Sequence, residues 1–317
     1  MGKRATMNDL DQLYEAFRQI GEDPTQILTP ETAYLVAYGH NIVGMQSVPG
    51  VIIVPERTKD GIHASVTVLE GYKLEQPVHL CFSLFEQFGS QNIELELTLQ
   101  PHSLVTFWSH CIFTIPEVAR HAMMAQINIE EGAELIYNEV HYHGLSGGIE
   151  VVPRAKVVLG HLARYRTDFS LVQGRVGKLD IDYSVDVGKE AVAELTSKVY
   201  GHVADKIRIR ERIDLNGDNA RGLIKSRVAV ENEASAEVIC ATYGNAAGAR
   251  GHVDCLEIVR GSGVVSAIPE VRVTHPQAKV THEAAIGSVD QAQLETLMAR
   301  GLDPDQAVDV IVRGMLC

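Results

Sequence analysis

Much that would mark a common functional class is scarce or missing in this chain. Its five cysteines (Cys81, Cys111, Cys240, Cys255 and Cys317) are odd in number and widely spaced, and no C-x-x-C occurs in the 317 residues. That excludes a disulfide framework and a zinc knuckle and leaves reduced thiols. Basic residues are in deficit: 28 Lys and Arg against 41 Asp and Glu give a net charge of -13. A general nucleic-acid binder needs a basic face to neutralise phosphates, so that class is excluded. No apolar run approaches the roughly 20 residues that span a bilayer, and no hydrophobic signal segment follows Met1-Gly2-Lys3-Arg4. No membrane association is expected, and the cytoplasm is the expected compartment. Aromatic residues make up 6% and are scattered, with Trp108 the single tryptophan; a polysaccharide-active β-helix enzyme, which wants a groove of Asp, Arg and stacked rings, is disfavoured.

What is present is β texture. From Val51 to Val280, β-branched residues and short alternating runs dominate, clearest in Leu179, Ile181, Tyr183, Val185, Val187 and in Ile207, Ile209, Ile213, Leu215. Such alternation predicts strands with one buried face. The turns resemble one another, a small polar corner followed by a small residue and a β run: Glu131-Gly132-Ala133-Glu134, Pro153-Arg154-Ala155-Lys156, Lys189-Glu190-Ala191-Val192, Asn232-Glu233-Ala234-Ser235, Gly261-Ser262-Gly263-Val264 and Pro276-Gln277-Ala278-Lys279. They recur every about 14 to 43 residues, too irregular for a strict solenoid but compatible with an imperfect β-helix. A β-sandwich is the alternative architecture. Helices are expected at both ends. Leu10, Leu13, Tyr14, Phe17 and Ile20 fall at helical spacing, and a second helical stretch is read over about Thr29 to Val43. At the C-terminus, Ser288 with Gln291 has capping-box spacing, and Asp303-Pro304 starts a further helix with Gln306 three residues after the cap. Three regions are thus expected: helical 1–50, a β core over 51–287, and helical 288–317.

Two groups of residues can carry chemistry. Cys111 follows His110 in Val105-Thr106-Phe107-Trp108-Ser109, with His121 ten residues on; an adjacent imidazole can activate a thiol for persulfide exchange. Cys255 and the pair His282-Glu283 lie on neighbouring strand-like segments, bringing a soft ligand towards two harder ones. His141 and His143 share one face of a strand and could form a metal pair, though no third ligand is evident nearby. Cys240 precedes Cys255 by about one coil and is either a packed core thiol or a further ligand.

The stretch from His102 to Gly144, with His110-Cys111, Ile115-Pro116, His121-Ala122 and Glu131-Gly132-Ala133-Glu134, resembles the SufB component of the SUF iron-sulfur cluster assembly system. The stretch from Ala249 to Leu316 resembles the SufB and SufD family more closely: Cys255, Pro269-Glu270-Val271-Arg272-Val273, Val280-Thr281-His282-Glu283-Ala284, Arg300-Gly301-Leu302 and Ile311-Val312-Arg313-Gly314. The resemblance implies a mainly β fold, a right-handed parallel β-helix flanked by N- and C-terminal α-helices. It implies a scaffold and not an enzyme, on which a transient iron-sulfur cluster is built, with ATP hydrolysis in a SufC-like ABC ATPase docked on the C-terminal helices. Carried over, Cys111 matches the sulfur acceptor, and Cys255, His282 and Glu283 match the residues around the nascent cluster and its iron, with Cys240 a further candidate. Because all of these occur in one chain, the resemblance suggests a homodimer in a minimal two-component system of archaeal type, with a SufB/SufD-type heterodimer as the alternative, and a sulfur donor as a further partner. A SufD-like adaptor for the ATPase, without its own cluster, is the competing reading.

Overall fold

In a computed structural model of the chain, residues 29–316 are described, together with 14, 15, 17, 18, 21 and 23–27. The N-terminal helix expected over Leu10 to Ile20 lies largely outside them. Among the described residues a short helix α1 (Pro24–Ile27) precedes nineteen strands, and two helices, α2 (Gln291–Met298) and α3 (Pro304–Leu316), close the chain.

The strands alternate between two sheets. One holds β1 (Tyr34–Tyr38), β2 (Asn41–Gln46), β5 (Val78–Ser83), β7 (Leu104–Phe113), β9 (Glu134–His143), β11 (Arg164–Gln173), β13 (Val192–Gly201), β15 (Arg221–Val230), β17 (Arg250–Val259) and β19 (Lys279–Gly287). The other holds β3 (Val51–Arg57), β4 (Ile62–Val68), β6 (Phe88–Leu99), β8 (Val118–Ile129), β10 (Ile149–Leu159), β12 (Lys178–Val187), β14 (Lys206–Leu215), β16 (Ser235–Gly244) and β18 (Val264–Val273). From β4 and β5 onward each strand pairs in parallel with the strand two later in sequence. That connectivity is a β-solenoid, of about 8 turns, and it excludes the sandwich. Arg221 lies beside Arg250 and Arg250 beside Lys279, a coil of 29 residues. Inward residues of the two sheets form one continuous apolar core, which the period-two alternation of each strand requires.

The corners follow one rule. Ala133, Ala163, Ala191, Ala220 and Ala249 stack at one edge, each fully buried, and each amide bonds the carbonyl three residues back, at 3.1 to 3.3 Å. The residue before each has positive φ: Gly132, Leu162, Glu190, Asn219 and Gly248. A tight turn thus delivers an inward methyl, where a larger side chain would collide with the coils above and below. The corner expected at Pro153 is absent. Pro153 sits in the middle of β10, where its missing N–H interrupts the ladder: Val151 pairs with Leu179, and pairing resumes only at Arg154 with Asp182.

The helical stretch read over Thr29 to Val43 is also not found; β1 and β2 form an antiparallel hairpin there, turning at Gly39 with φ 55°. Leu35, Val36 and Ala37 are all buried, on both faces, and burial outweighs the weak helical spacing. This hairpin and the antiparallel pair β3–β4 cap one end of the solenoid. Phe17 covers the flank, buried with Ile27, Val36, Cys81 and Ile112.

The other end is open. Val271, Val273 and Ile286 continue inward columns in β18 and β19, yet remain 37%, 47% and 49% exposed because no coil follows. Helices α2 and α3 do not cover this opening: Val308, Val312 and Leu316 of α3 pack with Tyr200 and Ala229 on the outer face of the first sheet. The α3 cap is the expected one, with Asp303 accepting from the Gln306 amide and Gln306 from the Asp303 amide. The α2 cap is Asp290, accepting from the Gln293 amide at 2.8 Å, two residues beyond the expected Ser288. No helix among the described residues is long and apolar enough to cross a membrane.

Candidate functional site

The solenoid interior is not wholly apolar. A file of buried polar side chains runs along it from Cys111 to Cys255, and the register places them side by side. In the first sheet one inward column reads Ser109, Glu139, Phe169, Ser197, Ser226, Cys255. In the second, Tyr183, Glu211 and Cys240 are neighbours. Where Phe169 interrupts the first column, the second sheet bridges it, since the Tyr183 hydroxyl donates to Glu139 Oε2 at 3.2 Å. Farther along, Ser197 donates to Glu211 and Ser226 to Glu257.

The Cys111 end is a nest of imidazoles. Cys111 pairs with His141 on the next strand, and its Sγ lies 3.8 Å from His121 Nε2, which arrives from the opposite sheet. Cys111, Glu139 and His141 each place a ligand atom within 4.8 Å of the other two. His141 Nε2 is 2.8 Å from Glu139 Oε1, and the rings of His121 and His143 lie 5.9 and 5.6 Å from that of His141. Phe113 packs against all three imidazoles. Burial, with the charge of Glu139 beside it, pushes the Cys111 thiol well up. Burial likewise lowers His141 and His143 to about 3 and His121 well below its ordinary value, so all three are neutral. Glu139 is raised to about 7 by burial, opposed by the Tyr183 hydrogen bond. With His141 neutral, the Glu139–His141 contact is a hydrogen bond rather than an ion pair. His110, beside Cys111 in sequence, is on the other face of β7, against His79 and Phe17.

The Cys255 end is one coil from the opening. Cys255 is 1% exposed and inward, and the Cys240 thiol from the facing sheet hydrogen-bonds it. That bond, burial and the charge of Glu211 raise Cys240 well above the ordinary thiol range. Burial raises Glu211 and Glu257 to about 7. Cys240 thus stands beside Cys255. His282, exposed on the terminal strand, pairs with Val253 and so faces the same way as Cys255, whereas Glu283 pairs with Asp254 on the outward face. One chain brings His282 and Cys255 to a common face but not Glu283.

Sequence reasoning missed Glu139, Glu211 and Glu257. Each left a signal. Glu139 precedes His141 and His143 at period two, the third inward group that the histidine pair lacked. Glu211 fills the gap in the alternation of Ile207, Ile209 and Ile213, and Glu257 follows Cys255 by two.

Residues 86–315 match the model of a family described as the SUF system FeS cluster assembly, SufBD core domain. An iron-sulfur cluster assembly SufBD family protein of Methanocaldococcus jannaschii is 38% identical over 308 residues, covering 97% of this chain and 98% of that protein. One of Pyrococcus horikoshii is 34% identical over 310 residues, covering 98% and 94%. One of Archaeoglobus fulgidus is 26% identical over 251 residues, covering 78% and 66%. With its solenoid, its thiol-lined interior and these likenesses, the chain belongs to the SufBD family, whose role is iron-sulfur cluster assembly.

Proposed function

We propose that this chain is the scaffold on which the cluster is built, with Cys111 accepting sulfur and Cys255 holding the nascent cluster. The observation that carries the reading is the buried polar file joining the two thiols through an otherwise apolar core. Isolated polar groups in such a core are costly, and neither the corners nor the sheet ladders require these. The Cys111 sulfur attacks the outer sulfur of a donor persulfide as its proton passes to His121 Nε2, 3.8 Å away; a Cys111 persulfide forms, the donor leaves as a thiolate, and the exchange is redox-neutral. Two equivalents of an external thiol, oxidised to their disulfide, would release that sulfur as hydrosulfide and restore the Cys111 thiol, and the hydrosulfide would move along the polar file to Cys240 and Cys255. Iron is cargo here, bound by Cys255, His282 and Glu283 with Cys240 alongside. Such a mixed set holds a cluster less firmly than four thiolates, as release demands.

The open end supports a symmetric homodimer. The β18 and β19 edges have unpaired backbone groups and are flanked by exposed Val264, Ile268, Val271, Val273 and Ile286. Two copies meeting there by a two-fold axis would bring the terminal-strand His282 and Glu283 of both into one interface. A SufC-like ABC ATPase docks on α2 and α3. In support, α2 has no buried residue, and a groove of about 590 Å³ lies between the two helices and strands β17 and β19, lined by Leu256, Ile286, Gln293, Val310 and Met315.

Anaerobic reconstitution with ferrous iron and sulfide tests the scaffold reading. The wild type gains the visible absorption of a cluster, and Cys255→Ala loses most of it. A colourless wild type that still binds the ATPase would establish the adaptor function instead.

A further inference from the structure

We propose that Cys111, Glu139 and His141, with His121 as fourth donor, form a buried site for one divalent transition-metal ion of the zinc and ferrous-iron class, separate from the cluster site at Cys255. The three inner donors already lie within 4.8 Å of one another. In a tetrahedral site with metal–sulfur and metal–nitrogen bonds of about 2.3 and 2.0 Å, ligand atoms stand roughly 3.3 to 3.7 Å apart. The observed 2.8 Å between Glu139 Oε1 and His141 Nε2 and 3.8 Å between Cys111 Sγ and His121 Nε2 bracket that spacing.

His121 is set for the task. The Gln91 amide nitrogen donates to the Gly39 carbonyl at 2.7 Å, which fixes its oxygen as the group facing His121. His121 Nδ1 must then donate to that oxygen, at 3.0 Å, and Nε2 presents a bare lone pair to Cys111. An imidazole whose far nitrogen is held by a carbonyl or carboxylate is the usual arrangement of a metal-bound histidine. A second observation points the same way. His141 Nδ1 and His143 Nε2 are buried with no hydrogen-bond partner. Because His143 Nδ1 donates to the Arg175 carbonyl at 2.9 Å, its Nε2 is a further unmatched lone pair. The bare Nε2 lone pairs of His121 and His143 make this pocket rich in buried electron-pair donors, a setting that favours a cation over a further proton donor.

The mixed sulfur, nitrogen and oxygen set suits a borderline ion over magnesium or calcium. All four donors are buried, so the ion enters as the chain folds. It would hold Cys111 as a thiolate inside an apolar wall. The site shares Cys111 with the proposed sulfur acceptor but does not depend on that role.

The test is to unfold the full-length protein anaerobically in chelator, refold it with cobalt(II), and follow ligand-field and thiolate-to-cobalt charge-transfer bands. One equivalent of tetrahedral cobalt is expected. The charge-transfer band is lost in Cys111→Ser and unchanged in Cys255→Ser. Affinity falls at least about tenfold in Gln91→Ala, which leaves the ligands in place. Glu139→Gln, nearly isosteric, shifts the ligand-field bands and serves if Cys111→Ser fails to fold. A correctly refolded wild type without the charge-transfer band, or a band that vanishes in Cys255→Ser instead, would overturn the proposal. The cobalt readout involves no sulfur transfer, so this result and that of the reconstitution above fail independently.

Discussion

At the scale of single residues, the interior sets neutral imidazoles and half-ionised carboxyls against a core that disfavours charge. Each shifts stability with pH in a known direction. The Glu211 carboxyl titrates near 7 in the fold and near 4.5 when exposed, so the folded chain binds more protons than the unfolded one between those values. Its contribution is favourable below pH 4.5 and is lost as pH rises through 7, by about 3 kcal/mol in total. His141 and His143 act oppositely: lowered to about 3, they disfavour folding as pH falls below 6.5. Replacing Glu211 by Gln should therefore raise the melting temperature more at pH 8 than at pH 5. An equal change at both pH values in thermal unfolding would show that Glu211 is not held as a buried acid.

At the scale of elements, the corner is the repeating device, and two corners, at Leu162 and Glu190, break its preference for glycine or asparagine. Leu162, half exposed, holds a left-handed conformation (φ 57°) that Gly132, Asn219 and Gly248 hold comfortably at equivalent positions. Leu162→Asn should stabilise the protein by about 1 kcal/mol in chemical denaturation, since asparagine adopts that region readily. Loss of stability would mean that Leu162 makes a compensating contact. The corners also mark what was legible beforehand. Five of the six expected corners, at Ala133, Ala191, Ala234, Gly263 and Ala278, stand where the spacing put them, because a tight turn leaves a local chemical trace. Pro153 misled because a proline can also sit within a strand at a gap in the ladder. At the sites, the thiols Cys111, Cys240 and Cys255 were legible as candidates. Their company was not, because which residues of coils 28 to 30 apart meet depends on a register that no single strand encodes. His282 and Glu283, adjacent on one strand, face opposite ways, so a site that uses both draws on more than one face of the terminal strand.

At the scale of the whole molecule, the solenoid is closed by hairpins at one end and unpaired at the other. In the proposed homodimer, that asymmetry makes the open end the dimer surface. A charge on its inward face should prevent association: Val271→Lys is expected to reduce the mass in light scattering from dimer to monomer while leaving the circular dichroism of the solenoid intact. A mass unchanged by the substitution would move the interface elsewhere. The stacking also has a metric side. Cys111 on β7 and Cys255 on β17 are separated by five strand spacings, roughly 24 Å at the usual 4.8 Å between strands. The fold thus behaves as a ruler graduated in coils, on which the gap between the two thiols can change only in whole graduations of about 29 residues, each moving one end against the other without redrawing either.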